Sequence, residues 1–540
     1  MLYLSDDRNS ARRSPGGEKH MIILGVGITV LAVLIIGVLV ARKVDGDSTN
    51  YLVAGRQLGM PLVAVSLTAA AVDSNATVGN TDLTSGYGFW AGASLALGLA
   101  VCLLLAGLFL AKPMNRLRLF TLGDFFRIRY GRTTETLASV IMIFAFTFLL
   151  AGNLVACGFL LEYFANVPYS IGVVVASALV LSYTLAGGLF SDAYTAVLQT
   201  VITVVAAVAL IVWVALTYGI VIPEGMGPFD LEQLTSSEAG APINWATLIA
   251  LGIGDLVAID FMQRIFGAKS PKVAQRSCFV AAGTTAVIGT IFALVALTAS
   301  SVLGLSAENG PILYTLLGEY APPLLAVLVL SGIVAASFST ASGAILATSA
   351  VTVRNVFNVR RTEISGAHDP LLRWTRLAML PVVVIGILLA VRVSQTGILL
   401  TLAFDLMLAS LSASFILGTF WRRPGARAAL AAACVGLTSR LVFLALTPTI
   451  YGAPNDLFHL ENTLVTSAFD GWATLVAGAL GWLTYVLVGL TAARAQVETD
   501  TQRLELYRLY REQTPSGFTP RVRTAPVPAQ QADPPVPAGV

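Results

Sequence analysis

The sequence predicts an all-α integral membrane protein with about thirteen spanning helices. Three observations predict it. Hydrophobic residues make up 56% of the chain and charged ones 12%, with a mean hydropathy of +0.79, values that a water-soluble fold cannot hide in its cores. Apolar runs recur at lengths that cross a hydrocarbon layer of about 30 Å. Lys and Arg crowd into alternate loops, as the positive-inside rule requires.

In chain order the runs occupy 21–41, 61–79, 88–111, 134–160, 168–186, 190–218, 243–263, 273–304, 321–353, 371–394, 397–421, 425–447 and 469–491. The connection 112–132 carries Lys112, Arg116, Arg118, Arg127, Arg129 and Arg132, and further Lys and Arg follow the seventh, ninth and eleventh runs. The loops 157–168, 219–242, 304–322 and 448–468 contain neither. Basic loops face the cytoplasm, so the N-terminus is expected outside and the C-terminus inside. The first twenty residues break this pattern with Arg8, Arg12, Arg13 and Lys19. Either this tail crosses despite its charge or translation starts at Met21, and the second accounts for the charges more simply. Residues 21–491 form the membrane domain. The segment 492–540, charged and then rich in Pro, is expected to be a largely disordered cytoplasmic tail.

Enzyme signatures are absent. Cys102, Cys157, Cys278 and Cys434 are isolated in apolar helices, and the three His lie far apart in tails and loops, so no disulfide framework, zinc site or catalytic triad is expected. No phosphate-binding glycine loop is present. The net charge of +3 belongs to the basic loops and implies no nucleic-acid partner. No organic cofactor is expected, and oligomeric state is not legible.

Two runs look interrupted. In the second, Val72-Asp73-Ser74-Asn75-Ala76-Thr77 sets a polar stretch with a carboxylate midway between Pro61 and Tyr87; in the seventh, Gly252-Ile253-Gly254-Asp255 breaks an apolar helix. Non-helical backbone at membrane depth is tolerated only where protein or water covers it, and it commonly marks a transport site. The two breaks lie five spans apart. That offset suits a five-plus-five inverted repeat, with 61–218 as one half, 243–421 as the other, and 425–491 as two extra helices. The ninth run adds Ser337, Ser339, Thr340 and Ser342 among small neighbours, a cluster of neutral oxygens that suits a bare alkali cation.

The strings YLVAGRQLGMPLVAVSLTAA, TLGDFFRIRYG, TLAGGLFSDAYTAVLQ, QRIFGAKSPKVAQRS and AASFSTASGAILATSAVTVRNVF resemble, in this order and spacing, the sodium:solute symporter family, which contains sodium/glucose and sodium/proline cotransporters. The resemblance implies a leucine-transporter-type core. It also implies a sodium site built from the carbonyls of Ala69, Val72 and Ala336 and the hydroxyls of Ser339 and Thr340. Asp73 would add negative charge beside that cage. The family's Asp near the start of the sixth span is replaced here by Ala196; Asp192, one turn earlier, is expected to supply an ion-coupling charge.

Asn75, Trp90, Asn153, Asp255, Asp260 and Asp405 are the solute-binding candidates, each with a plainer reading. Asp260 pairs with Arg264 at i+4, Asn153 bridges helices, Trp90 anchors at the interface, and Arg440 pairs with an acid such as Asp405 or snorkels. The excess of buried acids over bases favours a solute with a positive group. The expected function is sodium-coupled symport of a small organic solute across the cell membrane by alternating access, without covalent chemistry. Proton coupling, or a transporter-like solute sensor, are the alternatives.

Overall fold

The computed structural model describes residues 15–307, 310–359, 369–395, 397–455 and 457–491. Residues 1–14 of the N-terminal tail and the whole of 492–540 lie outside the described residues. Among the described residues nine helices are long and apolar enough to cross a membrane, and three bent pairs pass the same test as single spans.

One of the nine, Tyr169–Thr217, has 49 residues, about 74 Å at 1.5 Å per residue, more than twice a bilayer core. It is broken at Gly188, whose φ of 53° and ψ of −137° are non-helical. A Cβ there would meet the Tyr51 carbonyl at 2.4 Å, so both conformation and space demand glycine. The break frees carbonyls at the end of the upper half, and the buried Tyr51 hydroxyl donates to Thr184 O at 2.7 Å. Taken as two spans, this helix completes the expected thirteen.

Proline starts several spans, at Pro61, Pro242, Pro271, Pro323 and Pro370, where its missing N–H would have no partner and its fixed φ already suits a helix. Both expected interruptions are present. The second span runs Met60–Ala71 and resumes at Asn75–Tyr87 with a 55° bend; the seventh runs Ala241–Val257 and Ile259–Gly267 with a 48° bend. A third break, between Ile398–Ser410 and Ser412–Phe420 in the eleventh span (51°), was not expected from the sequence. The stretch 112–132, read as a loop, contains a helix, Leu122–Tyr130, started by a capping box of Thr121 and Asp124.

The ninth span, Pro323–Val351, is buried continuously from Val329 to Val351. It packs against both halves of the long kinked helix, the fourth span (Arg132–Ala165), the first (Lys19–Val44), the tenth (Pro370–Arg392) and the second. Lipid is as apolar as leucine, so such a helix gains its place from close packing and internal hydrogen bonds. The first span is peripheral. Only 22% of its apolar window is buried inside the protein, against 78% for the ninth.

Candidate functional site

The site begins where the second span stops being a helix. Its last ladder bond runs from the Val72 N–H to Thr68 O at 2.8 Å, and Val72 itself has φ −95° and ψ 73°. The carbonyls just upstream are met from the ninth span, where the Thr340 hydroxyl reaches Ala70 O at 3.0 Å and Ala69 O at 3.5 Å. Ser339 is fully buried beside it, and its hydroxyl has no hydrogen-bond partner among the described residues. Ala336, also buried, lies one turn away on the same face. Ala69, Ser339, Thr340 and the break at Val72 therefore lie where two helices meet inside the protein. An orphaned buried hydroxyl costs about 1–3 kcal/mol, and a cation is one way to offset that.

Just past the break, Asp73 caps the second half-helix. Its carboxylate accepts from the backbone N–H of Asn75 and of Ala76, both at 3.0 Å, from the Asn75 amide at 2.7 Å and from the Asn153 amide at 2.9 Å. Ser74 donates to the Asn153 carbonyl oxygen at 3.0 Å. Negative charge at a helix N-terminus is favoured by the dipole and by the unsatisfied N–H groups there. Asn75 turns its other end to the eleventh span, accepting from the Gly397 N–H at 3.1 Å. The structure thus joins Asp73, Asn75 and Asn153 in one network across the second, fourth and eleventh spans.

A second network lies nearer the basic loops. Arg264, fully buried, donates to Asp192 at 2.9 Å, to Asp260 at 3.0 Å and to Ser66 at 2.9 Å. Asp192 also accepts from Ser342 at 2.7 Å. This one guanidinium, whose planar fork serves two carboxylates at once, ties the second, sixth and seventh spans directly and the ninth through the Ser342–Asp192 bond. The ninth span leaves room for it: a Cβ on Gly343 would meet Arg264 Nη2 at 2.8 Å. Asp192, offered as an ion-coupling charge, and Asp260, offered for the solute, are both engaged by Arg264.

The other candidates stand apart. Asp405 is ion-paired with Arg440 and accepts from Thr474 at 3.1 Å, among the last three spans. Trp90 donates through its indole to Pro228 O at 3.1 Å and through its backbone N–H to Gln233 at 2.9 Å, which ties it to the loop after the sixth span. Asp255 differs from all of these. It lies in the last turn of the seventh span's first half, Gly254–Val257, is 1% exposed, and its carboxylate meets no N–H or hydroxyl donor among the described residues, only the weakly donating Cys102 thiol beside it.

On the face opposite the basic loops a cavity of about 380 Å³ opens between Tyr87, Ala91, Asn244, Thr247, Gly397 and Tyr451, among others. Gly397 belongs both to this wall and to the Asn75 contact, so the vestibule ends on the broken second span. Ser66 and Gly397 were missed in the sequence. Ser66 sits three residues before Ala69, one turn away on the same helix, and that spacing was the available signal; Gly397 offered none.

The sodium:solute symporter family profile matches residues 51–436. The chain belongs to that family. Among curated relatives it is 27% identical over 455 residues to the osmoregulated proline transporter OpuE of Bacillus subtilis, covering 78% of this chain and 88% of the relative. It is 25% identical over 362 residues to the human high affinity choline transporter 1, covering 62% of each chain. Among solved structures, a Na+-coupled sialic acid symporter in a substrate-bound, outward-open state superposes with a TM-score of 0.66 at 19% identity, covering 86% of this symporter-family chain and 98% of that one. Mhp1, a nucleobase-cation-symport-1 family transporter, gives 0.52 at 16% identity, covering 85% and 98%. Family and fold are those of multi-pass membrane transporters.

Proposed function

We propose that this chain carries a small organic solute into the cell by symport with sodium. The observation that carries the reading is the Ser339 hydroxyl, buried and unpartnered beside Thr340 and the carbonyls at the break of the second span. Neutral oxygens in that number and type suit a hard monovalent cation. Sodium taken up there ties the ninth span to the broken second span, whose next residues, Asp73 and Asn75, reach the floor of the vestibule through Gly397. Ion and solute sites then share a helix break, and each raises the other's affinity by the same factor. The basic loops face the cytoplasm and the vestibule faces outside, so the membrane potential adds about 2.3 kcal/mol per charge per 100 mV to inward movement.

The solute carries a positively charged nitrogen in this reading. Asp255 supports it: a buried carboxylate with only the Cys102 thiol beside it and no counter-charge among the described residues is expensive at membrane depth, and it lies eight residues beyond Thr247 of the vestibule wall, about 12 Å along the helix. The named relatives transport proline and choline, both of which contain such a nitrogen. The same buried carboxylate, without a counter-charge among the described residues, favours a second reading, proton coupling through Asp255.

A thermal-unfolding screen of the purified protein against prolines, betaines, choline and other cationic amines, with sodium or potassium chloride, separates these. A ligand that stabilises only in sodium supports the symport reading. Ligands that stabilise equally in both salts, with uptake that persists when N-methyl-D-glucamine replaces sodium at fixed pH, favour the proton.

A further inference from the structure

Gln199, in the sixth span, is fully buried, and neither end of its side-chain amide has a hydrogen-bond partner among the described residues. We infer, on the sodium reading of the cage at Ser339 and Thr340, that Gln199 is a further ligand of that ion, bound through its amide oxygen.

Helix register places it there. The kinked helix Tyr169–Thr217 packs along the ninth span, and two contacts fix how they are matched. Asp192 accepts from the Ser342 hydroxyl at 2.7 Å, and the Thr203 hydroxyl donates to Gly332 O at 3.1 Å. Residue numbers rise along one helix as they fall along the other, so the two run antiparallel here. Asp192, Gln199 and Thr203 are spaced by seven and four, which puts them on one face of the sixth span. Gly332, Ser339 and Ser342 are spaced by seven and three, again one face, on the ninth. The two stripes meet at both ends, so Gln199 and Ser339 lie between those contacts on facing surfaces. Side chains lean towards the N-terminus of their own helix, which carries the Gln199 amide towards Asp192 and hence towards the level of Ser339.

The sixth span also reaches the other wall of the cage. Thr200, the residue after Gln199, donates to Val65 O of the second span at 2.9 Å. Buried polar groups are almost always paired. Here two unpaired ones, the Ser339 hydroxyl and the Gln199 amide, occupy facing positions beside the break of the second span. A hard cation takes an amide oxygen as it takes hydroxyl and backbone carbonyl oxygens, and the amide N–H groups are donors for a water that enters with it. Sodium then ties together the second, sixth and ninth spans, which the Arg264 network joins nearer the basic loops.

The test is equilibrium binding of radioactive sodium to the purified full chain, for wild type, Gln199→Met, Gln199→Glu and Ser339→Ala. Methionine matches glutamine in length and loses no hydrogen bond, so the Gln199→Met unfolding midpoint in potassium chloride should equal that of wild type. Sodium affinity is expected to fall about tenfold in Gln199→Met and to stay within about threefold of wild type in Gln199→Glu, which keeps an oxygen at the same reach. A Gln199→Met affinity equal to wild type, with Ser339→Ala weakened, overturns the inference and leaves the sodium site standing. Equal losses in Gln199→Met and Gln199→Glu, or a lowered Gln199→Met midpoint in potassium chloride, assign Gln199 to packing and overturn it too. Without saturable sodium binding by wild type, the sodium reading itself falls and takes the inference with it.

Discussion

Two buried carboxylates, each beside a helix break and five spans apart, differ in one respect that decides what each does. Asp73 accepts four N–H donors, so removing its charge breaks a cap and a network. Asp255 accepts no N–H among the described residues and has only the weakly donating Cys102 thiol beside it. Asp255→Asn is therefore expected to leave thermal stability within about 0.5 kcal/mol of wild type or to raise it, because at most a weak thiol contact is altered and a desolvated charge is removed. If the solute is cationic as proposed, its uptake should fall at least about tenfold, the equivalent of 1.4 kcal/mol; unfolding curves and uptake on the same preparations check both halves. Arg264 has the opposite profile. Arg264→Met leaves Asp192 and Asp260 buried without their counter-charge and should cost about 3–5 kcal/mol. Adding Asp192→Asn and Asp260→Asn should recover most of that loss, and a melting temperature for Arg264→Met equal to wild type would contradict the ion-pair geometry.

At the scale of elements, the breaks show what a sequence can reveal. Those of the second and seventh spans were legible because Asp73, Ser74 and Asn75, or Gly252 and Gly254, interrupt long apolar runs. The eleventh was not. The polar residues around its break are Ser410, Ser412 and Ser414, each of which bonds back to a carbonyl of its own span, as hydroxyls do in unbroken helices. The division of the long Tyr169–Thr217 helix was legible from its length, and Gly188 makes it physical. Gly188→Ala should destabilise the protein by about 1–3 kcal/mol from backbone strain, with the 2.4 Å approach to Tyr51 O adding to it. Thermal unfolding reads this directly, and an unchanged midpoint would mean that the kink does not depend on glycine.

Contacts between distant elements stayed out of reach of spacing alone. The meeting of Ala69 and Ala70 with Thr340, some 270 residues apart in sequence, was expected only through the family resemblance. The engagement of Asp192 and Ser66 by Arg264 was not expected at all, because an i,i+4 rule sees Asp260 and nothing across a bundle. Trp90 and Asp405 were singled out as polar or aromatic residues at membrane depth, yet each is held by partners of its own, one in the loop after the sixth span and one among the last three spans.

For the whole molecule the central claim is that sodium links the ninth span to the broken second one. Equilibrium binding of radioactive sodium to the purified protein, wild type against Ser339→Ala/Thr340→Val, tests it most directly. Ser339 loses a hydroxyl that bonds nothing among the described residues, and Thr340 loses one bond worth about 1 kcal/mol, so the variant should remain folded in potassium chloride. The account predicts saturable sodium binding by wild type and an affinity at least about tenfold weaker in the folded variant. Equal sodium affinity in the two proteins would contradict it.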